Sequence, residues 1–218
     1  MDNEQIAERN QVLDEILMDR RSIRAFSEEI PSKADVEAVI FAGQLAPYAA
    51  MSVGTREDYR RFVVVPRDSD TMARLKEILD AKAKEQYESF SAAMAHNPDL
   101  HKQGAAFAKN LKNMAENGVR SYGSAAFNII VAEIRGIPDT GSRSLAHCMQ
   151  NMWLKATALG LAFQLVSITG QMSDDPDFCE AIGLNPGEFS FDGCGLGYPA
   201  QPQEPRSKTY IPEYVTWL

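Results

Sequence analysis

The chain has 218 residues, of which 44% are hydrophobic and 24% charged, and a formal net charge of −8. This length can bury a substantial core in one large domain or two small ones. The acidic balance argues against non-specific nucleic-acid binding, which relies on a dominant positive field, and no apolar run reaches the ~20 residues of a membrane-spanning helix.

The opening Met1-Asp2-Asn3-Glu4-Gln5 is acidic and polar, unlike a secretory signal. Cys148, Cys179 and Cys194 are odd in number and widely spaced, so they make neither a disulfide framework nor a CxxC metal site. Both features point to a reducing cytoplasm.

Val12, Leu13, Ile16 and Leu17 recur at helical spacing and predict a first helix ending near Asp19. Arg20-Arg21-Ser22-Ile23-Arg24-Ala25-Phe26 follows, with three guanidiniums and a hydroxyl inside five residues. A guanidinium donates two parallel hydrogen bonds to a phosphate and stays charged at any working pH. The cluster therefore suits a phosphate-bearing ligand; equally, Arg20 and Arg21 could only complement the carbonyl end of the helix before them.

Ser32 can cap a second helix, with Asp35 completing a capping-box pattern and Val36, Val39, Ile40 and Gly43 on one face, up to Pro47. Residues 48–61 read as a loop, and Phe62-Val63-Val64-Val65 as a buried strand that Pro66 ends. Asp70 can cap a long helix over 71–95, which His96-Asn97-Pro98 breaks before another helical stretch to about Asn117. These polar helices, about 71–120, read as an excursion over the core. Residues 127–132 form a second strand, and a turn follows over 136–141. The run from about Ser142 to Leu159, with Leu145, Met149, Met152, Trp153 and Ala156 at helical offsets, is apolar on most of its surface. Such a helix is buried in a core or a subunit interface.

Residues 163–168 are ambiguous between strand and loop, and 189–198 alternate as a third strand. The tail 200–218 holds Pro202, Pro205, Pro212 and Trp217, a composition suited to docking. With no repeat or linker, residues 1–218 read as a single domain.

Candidate chemistry is sparse. Arg206-Ser207-Lys208 is a second basic group that could grip the same phosphate from another direction. Gly193-Cys194-Gly195-Leu196-Gly197 is not a GxGxxG turn leading into a helix, and fits close packing beneath a planar ligand or a plain strand end. His147 and Cys148 are adjacent, so a helix points them to different faces, and no spacing supplies further metal ligands. Asp174, Asp175 and Asp177 beside Pro176 look like a loop and helix start. No GxSxG and no acid/base dyad stand out. Two phosphate-suited clusters without a protein nucleophile fit an enzyme whose cofactor carries the chemistry.

The residues resemble the nitroreductase family. The order Arg20-Arg21-Ser22-x-Arg24-x-Phe26, Pro31, Ala46-Pro47 and the strand at 62–65 is similar to the family's start. Gln150-Asn151-Met152 and Ala158-Leu159-Gly160-Leu161 are similar to its central helix; Gly183-Leu184, Pro186-Gly187, Leu196-Gly197-Tyr198-Pro199 and Arg206-Ser207-Lys208 are similar to its C-terminal third. The resemblance implies an α+β fold with a central, mainly antiparallel sheet flanked by helices, in an intertwined homodimer with FMN at each of two interface sites. The tail 200–218 would reach the partner subunit. Arg20, Arg21, Ser22 and Arg24 would bind the FMN phosphate, ribityl chain and pyrimidine edge, and Arg206 and Lys208 would add phosphate contacts. Val166, Ser167 and Ile168 would lie against the flavin ring. No side chain would be catalytic: NADH or NADPH would deliver hydride to flavin N5, and a nitroaromatic, quinone or similar small-molecule acceptor would then take two electrons. One departure stands out. The loop after Pro47 lacks the family's Asn and Gln-Pro-Trp and is longer, with Met51 at the flavin contact. A flavin-binding protein without NAD(P)H oxidation is the alternative; a metal- or thiol-dependent enzyme using His147, Cys148 and Cys194 is a third class.

Overall fold

The computed structural model describes residues 2–48, 53–139, 141–204, 206–209 and 211–218. Among them, β1 (Arg60–Pro66), β2 (Phe127–Ile134), β3 (Ala162–Leu165) and β4 (Phe189–Gly197) form one sheet in the order β1-β2-β4-β3. Every neighbouring pair is antiparallel. The helices are α1 (Asn3–Asp19), α2 (Lys33–Gln44), α3 (Asp70–Ala95), α4 (Pro98–Asn117), α5 (Gly141–Ala158) and α6 (Pro176–Ala181). The fold is therefore α+β, with helices on both faces of an antiparallel sheet.

Alternation along β2 builds two cores. Ile130, Ala132 and Ile134 pack with Met72, Leu75, Leu79 and Ala83 of α3, while Ile129 and Val131 pack with Val36 and Val39 of α2 and with Leu145, Met149 and Met152 of α5. Burying a side chain such as Leu75 or Leu79 contributes about 1.5–3 kcal/mol, so α3 is an integral wall of the first core and only its far half, with α4, projects.

Local signals set the helix ends. The Ser32 hydroxyl accepts from Asp35 N at 3.1 Å, and the Asn97 side chain starts α4 by accepting from Asp99 N and Leu100 N. At α3 the sequence expectation needs correction. Ser69, not Asp70, is the cap, accepting from Met72 N at 3.1 Å, while Asp70 begins the helix. α5 likewise buries one broad face and exposes Ser142, Arg143, Ala146, His147 and Gln150 to solvent within this chain. The ambiguous 163–168 stretch divides into β3 and a 3-10 turn, Ser167–Met172. The glycines of β4 receive protein side chains: a Cβ on Gly193 would meet Thr169, one on Gly195 would meet Ser121, and one on Gly197 would meet Phe26. Among the described residues no helix is long and apolar enough to cross a membrane.

Candidate functional site

The Arg cluster is laid along the sheet edge by its own backbone. Arg20 N closes α1 on Ile16 O at 3.0 Å, after which the chain extends. Ile23 N donates to Phe163 O in β3 at 3.1 Å, Ser27 N to Tyr198 O at 2.9 Å, and Ala200 N to Ala25 O at 3.0 Å. Phe26 forms a bridge with Pro199, and its ring lies where Gly195 and Gly197 leave room. An edge strand offers unpaired N–H and C=O groups, and this segment uses them.

The same path joins the two basic groups. Arg206 Nη1 donates to Arg20 O at 2.9 Å, and Arg21 donates to Glu204 O through Nη1 and to Asp19 O through Nε at 3.2 Å. The guanidinium of Arg20 lies over the Trp153 ring, 4.3 Å from its centroid. Trp153 Nε1 donates to Arg21 O at 3.2 Å, and its ring stacks on Phe163 with centroids 5.4 Å apart. Among the described residues, the guanidinium N–H groups of Arg20 meet no protein acceptor.

Two adjoining hollows open beside this junction. Ser22, Arg24, Arg120, Gln201 and Gln203 line one of about 290 Å³. Asp19, Arg21, Thr157, Gly160, Leu161 and Gln203 line the other, of about 310 Å³. The first hollow thus carries two guanidiniums, a hydroxyl and two amides, a set that can bind an anion, whereas the second has the acidic Asp19 beside Arg21 in its lining. Ser22 and Arg24 line the first hollow and Arg21 the second, while Arg20 and Arg206 line neither and are joined through the Arg20 carbonyl. Lys208 lies exposed in the tail beyond them, and Met51 falls outside the described residues.

Val166 and Ile168 bury their side chains in the first core, so only backbone there can face a ligand. Ser167 is exposed and lines a separate hollow of about 380 Å³ with Ser142, Ser190 and Asp192. Burial pushes the Asp192 carboxyl above its usual range, against the opposing pull of the Gly193 N–H. In the same hollow Arg135 is paired with Asp174 at 2.8 Å, and Asp139 accepts from Gly141 N at 3.0 Å. Asp192, Arg120, Gln201, Gln203 and the role of Trp153 escaped the sequence reading; only the apolar setting of Trp153 gave a signal.

The thiols are poor nucleophiles. Burial pushes Cys148 up to about 12 and Cys194 well above the usual thiol range, and a thiol is reactive only as the thiolate.

The nitroreductase family model matches residues 17–198. A nitroreductase from Bacteroides fragilis with bound FMN is 22% identical over 94% of this chain and 98% of its own, with a TM-score of 0.65. A BluB-like flavoprotein from Clostridium difficile is 19% identical over 94% and 98%, with a TM-score of 0.66. A provisionally named NADH dehydrogenase/NAD(P)H nitroreductase from Parabacteroides distasonis is 18% identical over 95% and 98%, with a TM-score of 0.58. At these identities the likeness is one of fold. No curated protein matches the sequence.

Proposed function

This chain belongs to the nitroreductase family, and from that premise we propose that it is an FMN-dependent oxidoreductase moving two electrons from NADH or NADPH to a small-molecule acceptor. The observation that supports the reading is the junction of Arg20-Arg21-Ser22-x-Arg24 with Arg206, because it brings basic residues from distant parts of the chain beside one another. The residues fit the group: the N–H edge of Arg20, the Ser22 hydroxyl and Arg24 can hold a phosphate, with Lys208 nearby in sequence to Arg206. Bound FMN would supply the redox chemistry, a two-electron exchange between the nicotinamide and a nitroaromatic, quinone or related acceptor. The part of this chain is to bind, orient and shield it. Arg20, Arg21, Arg24 and Arg206 fix the anionic end, and the backbone of Val166, Ser167 and Ile168 bounds the ring. Fixed cations and N–H donors also stabilise negative charge without reorganising.

In this proposal the molecule works in the cytoplasm as a homodimer of single-domain subunits, with the tail 200–218 laid on the partner. α1 supports this: it buries no residue, and Val12, Leu13 and Leu17 are exposed, the first two along a hollow lined by that helix alone. Tyr214 and Trp217 are 84% and 90% exposed. Apolar surface of this kind marks an interface. Light scattering should give twice the 24.1 kDa of the chain.

Purified protein should be yellow or become so with FMN, and anaerobic NADH or NADPH should bleach it. Protein that stays colourless after incubation with FMN defeats the proposal. A bound flavin that both nicotinamides fail to bleach favours a flavoprotein with a specialised reaction or a flavin storage and delivery role. The likeness to a BluB-like flavoprotein and the divergent loop after Pro47 give that second reading its support.

A further inference from the structure

The Arg20 guanidinium uses one of its faces on Trp153 and leaves its N–H edge uncommitted. Cation–π attraction acts through the ring face, whereas phosphate recognition uses the in-plane N–H groups, so one guanidinium can do both at once. The same indole also donates to Arg21 O, one residue further on. Its stacking partner Phe163 supplies the carbonyl that holds Ile23 N. Trp153 therefore touches the cluster twice and braces it a third time through Phe163. Both residues belong to the buried core between α5 and the sheet, so the platform itself is fixed.

We propose that Trp153 is a positioning residue of the anion site, holding Arg20 ready for the FMN phosphate before the ligand arrives. An arginine side chain free to rotate loses conformational entropy when it is immobilised on binding. Stacked on Trp153, Arg20 has lost much of that freedom on folding instead. The inference rests on the FMN reading of the site. It adds that Trp153, one of two tryptophans in the chain, reports occupancy of the site through its own emission.

The test uses the full chain in a Trp217→Phe background, where Trp153 is the sole indole. Titration with FMN should lower Trp153 emission along a saturable curve. Trp153→Phe keeps a ring but offers a weaker face and no indole N–H, so FMN binding should weaken by about two- to tenfold, part of the cation–π range together with the lost hydrogen bond, with far-UV circular dichroism unchanged. Flavin fluorescence gives the affinity where the indole is absent. In an Arg20→Ala background the loss from Trp153→Phe should shrink to the part due to the missing indole N–H. Equal affinity in Trp153→Phe, or an equal loss in both backgrounds, overturns the inference, the second because it marks a purely structural role. A parent that binds no FMN overturns the cofactor reading together with this one; a parent that binds while Trp153→Phe matches it overturns this one alone.

Discussion

Arg60 and Glu133 stand opposite each other in the β1–β2 register, and their side chains form an ion pair only 4% and 0% exposed. Arg60 also donates to Gly43 O at 2.7 Å and Ala46 O at 3.1 Å, tying the end of α2 to the sheet. Burial pushes the Glu133 carboxyl up, while Ser144 and Arg60 pull it down, and Glu133 Oε2 has no protein partner among the described residues.

Removing one partner of such a pair strands a buried charge. Arg60→Met should destabilise the protein by about 3–5 kcal/mol, and adding Glu133→Gln should return part of that loss. Urea unfolding at fixed protein concentration measures both. An unchanged midpoint for Arg60→Met would show that the pair contributes nothing.

Ser69→Ala removes the oxygen that caps α3 and should cost about 1 kcal/mol. Because α3 walls one core, the change should appear as a lower melting temperature of the whole molecule. A loss confined to helix fraying, without a shift in melting, would contradict this.

A Cβ on Gly195 would sit 2.6 Å from Ser121 Cβ and 3.1 Å from Ala125 Cβ, with no flexible chain end to move aside. Gly195→Ala should therefore destabilise by about 1–3 kcal/mol, the usual cost of overpacking. Gly160→Ala meets no atom within 4 Å, and its cost should come only from the positive φ of +71°. Thermal melts of the two variants separate steric from backbone strain.

These examples also show what was legible from the residues. Ser32 acts on atoms within one turn, so the start of α2 could be read directly, whereas in the sequence Asn97-Pro98 reads as a break rather than a cap and Asp70 stands in for Ser69. Asp192 could not. In Phe189-Ser190-Phe191-Asp192 the alternation reads as a strand with one wet face, yet α5 covers that face and partly buries the carboxyl. The basic groups were visible separately, but their junction depends on β3 and β4 lying beside the extended segment, which no local pattern encodes. Gln164 and Leu165 gave no period because β3 is short and turns at once into the 3-10 stretch.

Asp192 sets a pH dependence. Its folded carboxyl binds protons more readily than the usual value of 3.8 allows. Its stabilising contribution is thus present when protonated and is lost as pH rises through the folded value. Asp192→Asn, which keeps an acceptor for Gly193 N, should melt higher than the parent near about pH 8, with the difference closing as pH falls toward the usual carboxylate range. A pH-independent difference would place the effect in packing.

Arg206→Ala removes both a cation and the bond to Arg20 O. FMN affinity should fall by about 1.5–3 kcal/mol, as for a hydrogen bond to a charged group. Equilibrium dialysis that finds the parent affinity would remove Arg206 from the cofactor grip.

The bond from Arg206 to Arg20 spans 186 positions of chain. A ribosome therefore makes the two partners of this contact far apart in time, Arg20 early and Arg206 only 186 residues later. Until then, the emerging polypeptide can fold its helices and strands yet lacks the contact between Arg206 and the Arg20 carbonyl. Under the proposed function, cofactor capture would wait for Arg206, and a product terminated before that residue would lack it.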